Sequence, residues 1–154
     1  MDLGDLLKPE GVYAALRVKN KKQALQELAA RAAEITGLDQ RQVFDALLQR
    51  ERLGSTGVGR GIAIPHARMA GLSRIATVFA QLDEAIDFDA PDHEPVDLVF
   101  VLLAPELSGA DHLKALARIS RVLRDPHCLE KLRGARDRSA LYAVLTEPLA
   151  SHAA

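Results

Sequence analysis

Apolar positions recur along the chain with two different spacings, and the switches between them mark out its elements. Leu25, Leu28, Ala29, Ala32 and Ile35 repeat every three to four residues, the spacing that lines one face of a helix and requires its burial. Asn20 with Gln23 forms a capping pattern ahead of this run, and Gly37 stands just past its end, so both ends of the helix are marked. Asp39 with Gln42 repeats the cap, and Val43, Phe44, Leu47 and Leu48 supply the inner face of a second helix ending near Leu53-Gly54. β-Branched and aromatic residues instead crowd Arg74 to Leu82, and Val96 to Ala104 is nearly continuously apolar, as a strand covered on both faces would be. The acidic, proline-containing segment between them, Asp83 to Pro95, reads as surface loop with a short strand at Ile86 and Phe88. Upstream, Val12 to Val18 reads as a weak first strand, preceded by an amphipathic turn of Leu3, Leu6 and Leu7 that Pro9 ends.

After a turn at Pro105 to Gly109, the helical spacing returns. The next helix is expected from about Asp111 to Leu123, with Leu113, Leu116, Ile119, Ser120 and Leu123 inward. Asp125-Pro126 supplies an N-cap and first position for another, with Leu129 and Leu132 buried and His127 and Cys128 structural. Ser139 to Leu145 forms a last helix, Pro148 ends it, and residues 149–154, His152 among them, are expected to be a loose tail. Strands interleaved with helices predict α/β layering, helices on both faces of a small sheet. The irregular order of strands and helices makes that sheet mixed rather than purely parallel.

Composition narrows the function classes. A chain of 154 residues, 48% apolar and 4% aromatic, suits one domain with an aliphatic core. With 20 basic and 21 acidic residues and a net charge of -1, charge gives no indication of nucleic-acid binding. A single cysteine, Cys128, excludes an internal disulfide and a multi-thiolate metal site. The start, Met1 to Asp5, lacks the basic and apolar segments of a secretion signal. The apolar run Leu98 to Ala104 is far short of the ~20 residues that span a bilayer. A soluble cytoplasmic protein without membrane insertion is expected.

The candidate chemistry gathers between Arg50 and Arg68. Gly54, Gly57, Gly59 and Gly61, with Ser55 and Thr56, precede the apolar run Ile62-Ala63-Ile64, and Pro65 and His66 follow it. Glycine-rich loops often cradle anions, and a histidine beside one is a candidate nucleophile, proton carrier or metal ligand. An unremarkable glycine-rich connection with an incidental surface histidine fits the same residues. Arg50 falls in the last turn of the second helix, where it either points toward the loop or complements a helix C-terminus. His112 lies in the first turn of a helix beside Leu116 and Ile119; it suits a packed core residue or, at that helix end, a contact to an anion. His93, beside Glu94, reads as solvated surface. The loop lacks the lysine of a nucleotide P-loop, and Ile62 occupies the third glycine position of the dinucleotide pattern. There is no H-E-x-x-H and no serine in a G-x-S-x-G elbow. What remains suits holding a phosphoryl group: a ring nitrogen that is largely neutral near pH 7, and an arginine to offset oxygen charge.

G-S-T-G-V-G-R-G-I-A-I-P-H-A-R, the preceding Arg50-Glu51, and the later P-V-D-L-V-F-V-L-L-A-P and D-H-L-K-A-L-A resemble the enzyme IIA domain of the fructose/mannitol class of the bacterial phosphotransferase system, its nitrogen-regulatory branch above all. The resemblance runs from about Leu3 to Leu145 and implies a single-domain, three-layer α/β/α sandwich around a small mixed β-sheet, the domain filling residues 1–148. It implies that His66 is phosphorylated on its tele nitrogen by an HPr-like phosphocarrier, itself charged by enzyme I from phosphoenolpyruvate. His112 would orient the phosphoryl group, Arg50 would line the pocket, and Ser55, Thr56 and Gly57 would belong to the phosphoryl loop. No cofactor or metal is implied. The expected physiology is regulation of nitrogen and potassium metabolism through partners such as potassium-transport or sensor-kinase components. A sugar-specific IIA component passing phosphate to a IIB domain is the alternative, and a metal-dependent hydrolase using His66 and His112 is a more distant one. Ala67-Arg68 follows the histidine where relatives often carry glycine, so Arg68 brings an added charge near the site or its partner surface.

Overall fold

The structure, a computed structural model, describes residues 2–147; the expected tail, with Pro148 and His152, lies outside the described residues. In chain order the elements are α1 (Leu3–Leu6), a 3₁₀ turn (Pro9–Gly11), β1 (Val12–Leu16), α2 (Lys21–Thr36), α3 (Gln40–Arg52), β2 (Gly57–Gly59), β3 (Ile62–Ala63), β4 (His66–Met69), β5 (Ala76–Ile86), β6 (Val96–Pro105), α4 (Ala110–Arg124), α5 (Pro126–Gly134) and α6 (Arg138–Leu145). The sheet order is β1-β5-β6-β3-β2, with β4 also paired to β6. It is mixed: β5 runs antiparallel to β6, β3 and β4 parallel to β6, β1 parallel to β5, and β2 antiparallel to β3.

The sheet buries both faces because β6 is apolar at nearly every position. Leu98, Phe100 and Leu102 point to one side with Phe79, Ile119, Leu129 and Leu141, beneath α1, α4, α5 and α6. Val99, Val101 and Leu103 point to the other with Leu25, Leu28, Val43 and Leu47 of α2 and α3. The three-layer α/β/α expectation is therefore met. The helix punctuation is met as well: Asn20, Asp39 and Asp125 each accept a backbone N–H of their own first turn, and Gly37 closes α2 with a left-handed φ of 77°.

Four expectations need correction. The glycine-rich stretch is not one open loop but two short strands joined by a hairpin, followed by β4. β5 runs on through Asp83, Glu84 and Ala85 to Ile86, where a loop was expected. Those residues are exposed while Ile86 is buried, so acidic composition marked a solvated strand end rather than a break. β1 stops at Leu16, its register against β5 shifting between Tyr13 and Leu16. The buried stripe of α4 is His112, Ala115, Ile119, Val122 and Leu123, which leaves Leu113 65% exposed. Spacing alone turns this leucine inward, but it stands at the edge of the buried face.

Candidate functional site

Pro65 sets the geometry of the histidine. It interrupts the backbone between β3 and β4, and Pro65 itself has no N–H to offer the sheet. Its carbonyl accepts from Leu102 N (2.9 Å), and the N–H of Ile64 turns to Thr56 O (2.9 Å). The Ile64 carbonyl then lies 2.8 Å from Nδ1 of His66. A carbonyl only accepts, so this contact places the ring proton on Nδ1 and leaves the lone pair on Nε2. Burial is the main cause that lowers the His66 pKa from the ordinary 6.5; the Ile64 contact partly opposes it, while Arg50 adds to the lowering. The ring is thereby held neutral at pH 7.

His112, buried at the start of α4, packs edge-on to His66 with ring centroids 5.7 Å apart. Its pKa is also lowered, first by burial and then by His66 and Arg68. Its Nδ1 is buried without a hydrogen-bond partner among the described residues. An orphan lone pair there is cheaper than an orphan N–H, which favours the tautomer with the proton on Nε2. Arg50, in the last turn of α3, donates to Gly54 O at 2.9 Å. It lines two adjoining depressions that meet at His66. One, of about 620 Å³, also holds Arg52, Leu53, Arg68 and His112. The other, of about 350 Å³, holds Ser55, Thr56, Gly57 and Val58.

The structure thus brings together His66, His112, Arg50, Ser55, Thr56 and Gly57. The hydroxyls, however, are already engaged. Ser55 Oγ donates to Phe88 O (2.7 Å) and accepts from Gly57 N (3.0 Å). Thr56 gives both its N–H and its hydroxyl to the Glu51 carboxylate. Gly57 is required by a close approach: a Cβ there would stand 2.9 Å from that of Ala90. Gly61, at φ 80°, serves the hairpin, where a Cβ would meet the Arg133–Asp97 pair. These hydrogen bonds brace the wall beside His66. His93 and His127 lie exposed and line neither depression. Cys128 is buried, which pushes its thiol up to about 11 with help from Asp125 and Glu147. A thiol held protonated in this way is structural.

Over residues 5–147 the sequence matches the family described as phosphoenolpyruvate-dependent sugar phosphotransferase system, EIIA 2. The chain belongs to this family. It is 58% identical to a nitrogen regulatory protein of Bradyrhizobium diazoefficiens across 99% of this chain and 100% of that one. It is also 41% identical to the fructose-specific EIIA component of Haloferax volcanii, across 82% of this chain and 83% of that one. Among solved structures, the nitrogen regulatory protein IIA-Ntr of Neisseria meningitidis superposes with a TM-score of 0.89 at 34% identity, covering 94% of this chain and 99% of that one. The resemblance to the nitrogen-regulatory branch of EIIA proteins is therefore shown. No helix among the described residues is long and apolar enough to cross a membrane.

One part of the EIIA site escaped the motif reading. Glu51, with a side chain 3% exposed, pairs with Lys21 Nζ at 2.7 Å while holding Thr56. Lys21 also reaches Phe88 O at 3.3 Å. The ends of α2 and α3, the 54–57 turn and the β5–β6 connection are therefore tied at one buried ion pair. The only sequence signal for it was a charged residue, Glu51, adjoining the motif arginine.

Proposed function

We propose that this chain accepts a phosphoryl group on Nε2 of His66 from an HPr-like phosphohistidine carrier, charged by enzyme I from phosphoenolpyruvate. The observation that carries the reading is the Nδ1 contact to Ile64 O, which leaves the tele nitrogen as the nucleophile. The Nε2 lone pair attacks phosphorus. A P–N bond to His66 forms as the P–N bond to the donor ring breaks, its electron pair staying on the donor nitrogen. The His66 ring becomes cationic in the process, and the Ile64 carbonyl stabilises that charge. Arg50 offsets charge on the phosphoryl oxygens, and the Nε2–H of His112 orients one of them. Ser55, Thr56 and Gly57 shape the adjoining wall.

The phosphorylated state then serves as a signal. Adding a charge of about -2 in the depression that also holds the exposed Leu53 changes which proteins that face accepts. The identity to nitrogen regulatory proteins supports targets in nitrogen metabolism; potassium-transport or sensor-kinase partners and a cytoplasmic location complete the proposed reading. A second reading, phosphate passed to a sugar IIB domain, is favoured by the likeness to the fructose-specific component. Phosphoenolpyruvate, enzyme I and an HPr-like carrier are expected to place one acid-labile, base-stable phosphoryl group on each chain. An unlabelled chain overturns the proposal. Rapid onward transfer to a IIB domain selects the sugar role over the regulatory one.

A pH prediction accompanies it. Both folded histidine values lie below 6.5, so the unfolded chain takes up protons first on acidification. Their contribution to stability is complete above pH 6.5 and is lost as pH falls through the lowered values. An NMR titration of the ring carbons should show both midpoints below 6.5; a midpoint at or above it for His66 refutes the burial argument.

A further inference from the structure

Side chains alternate across a strand, so residues two apart project from the same face, with Cα atoms about 7 Å apart. In β4 this rule joins His66 to Arg68, which lie opposite Leu102 and Ala104 of β6. The alternate positions, Ala67 and Met69, pack into the layer of α2 and α3, so His66 and Arg68 share the other face. Arg68 is exposed and lines the same depression as His66, His112 and Arg50. Among the described residues its guanidinium has neither an ion pair nor a hydrogen bond. Arg50, by contrast, has one nitrogen committed to Gly54 O at 2.9 Å.

The charges agree with this placement. Burial is the first cause lowering the pKa of each histidine; of the arginines, Arg50 acts on His66 and Arg68 on His112. Each ring of the pair thus feels its own cation, one from α3 and one from β4. A phosphoryl group in transfer spreads its charge over three oxygens. Arg50 and the Nε2–H of His112 supply donors from two helices, and neither belongs to the strand that carries the nucleophile. A guanidinium presents five N–H donors in a planar fork suited to contacting two oxygens at once. An unengaged one beside the nucleophile fits that remaining charge.

We infer that Arg68 is a second cation for the phosphoryl group, contacting its oxygens as it passes to His66. The inference rests on the acceptor role of His66. Arg68 gives up no proton and forms no bond to phosphorus; it offsets oxygen charge while the P–N bond to the donor breaks and that to His66 forms. The competing role for Arg68 is a contact to the partner protein alone, without touching the phosphoryl group. Placement favours the first, because Arg68 shares a strand face with the nucleophile and a depression with the ring that orients the oxygens.

Two donors separate these roles. An enzyme I-charged, HPr-like carrier brings a protein surface with the phosphoryl group, whereas phosphoramidate brings the phosphoryl group alone and releases ammonia. Arg68→Gln should slow labelling of His66 about tenfold from both donors, a smaller loss than for a buried donor because an exposed cation is screened. Arg68→Lys, which keeps the charge without the fork, should recover part of the rate with both. Arg41→Gln, an equal change of charge at the start of α3, should leave both rates unchanged. The urea midpoint of Arg68→Gln should match that of the unaltered chain, as suits an exposed side chain without a partner. Slower carrier transfer with unchanged phosphoramidate labelling assigns Arg68 to the partner surface and overturns the inference. Unchanged rates with both donors, or a lowered urea midpoint that accounts for the slower labelling, overturn it as well. An unaltered chain that neither donor labels overturns the acceptor reading itself.

Discussion

Replacing His66 with alanine is expected to abolish phosphoryl labelling completely, whereas replacing His112 with alanine should slow it by about 10²-fold and leave His66 the labelled residue. The two rings are neighbours, 5.7 Å apart and inclined at 68°, so proximity does not assign the roles; their hydrogen bonding does. His66 has its Nδ1 turned to a carbonyl acceptor and lines both halves of the depression. His112 is buried on α4, with Nδ1 enclosed and unpartnered. A group that donates one hydrogen bond to developing oxygen charge contributes about two to three orders of magnitude in rate, and the nucleophile contributes the whole reaction. Labelling by radioactive phosphoenolpyruvate through the relay, followed by peptide mapping, measures both effects. A label that persists in His66→Ala, or an unchanged rate in His112→Ala, is incompatible with the assignment.

The layered fold was readable because its strongest signals were periodic. The stripes of α2 and α3, their Asn20 and Asp39 caps, and the apolar β6 each state a local preference that tertiary packing supports. Legibility failed where composition and burial part company. Asp83 to Ala85 are exposed, yet they belong to a strand because the pairing of β5 with β6 resumes at Ile86. Leu113 is apolar yet solvated, because α4 turns His112 and Ala115 inward. At the site, I-P-H was informative because the carbonyl two residues before the histidine meets its ring, a local effect of near neighbours in sequence. Part of the arginine clustering was hidden: Arg50, Arg60 and Arg68 share one stretch, but Arg121 stands far from it in sequence, and a net charge of -1 averages the group away. The fold brings Arg50 and Arg68 to one depression and Arg60 and Arg121 to another.

Glu51→Ala is expected to destabilise the protein by about 3 kcal/mol and to slow phosphoryl acceptance as well. Removing one member of a buried ion pair typically costs about 3–5 kcal/mol, because the other charge is left without compensation. The lower end applies here, since Lys21 retains Asp89 at 3.4 Å and some solvent exposure. The loss of function has a separate origin. Glu51 accepts both the N–H and the hydroxyl of Thr56, and Thr56 O in turn receives the N–H of Ile64, whose carbonyl orients His66. Loosening Glu51 therefore reaches the nucleophile through three consecutive hydrogen bonds. The two effects separate in the double variant Lys21→Met with Glu51→Leu. Replacing both charges by apolar groups should recover much of the stability in urea denaturation, as buried pairs so replaced usually do. Transfer should stay slow, because Thr56 still lacks its acceptor. If the double variant regained full transfer along with stability, Glu51 would serve only to neutralise Lys21, and the orientation of His66 would have to rest on Pro65 alone.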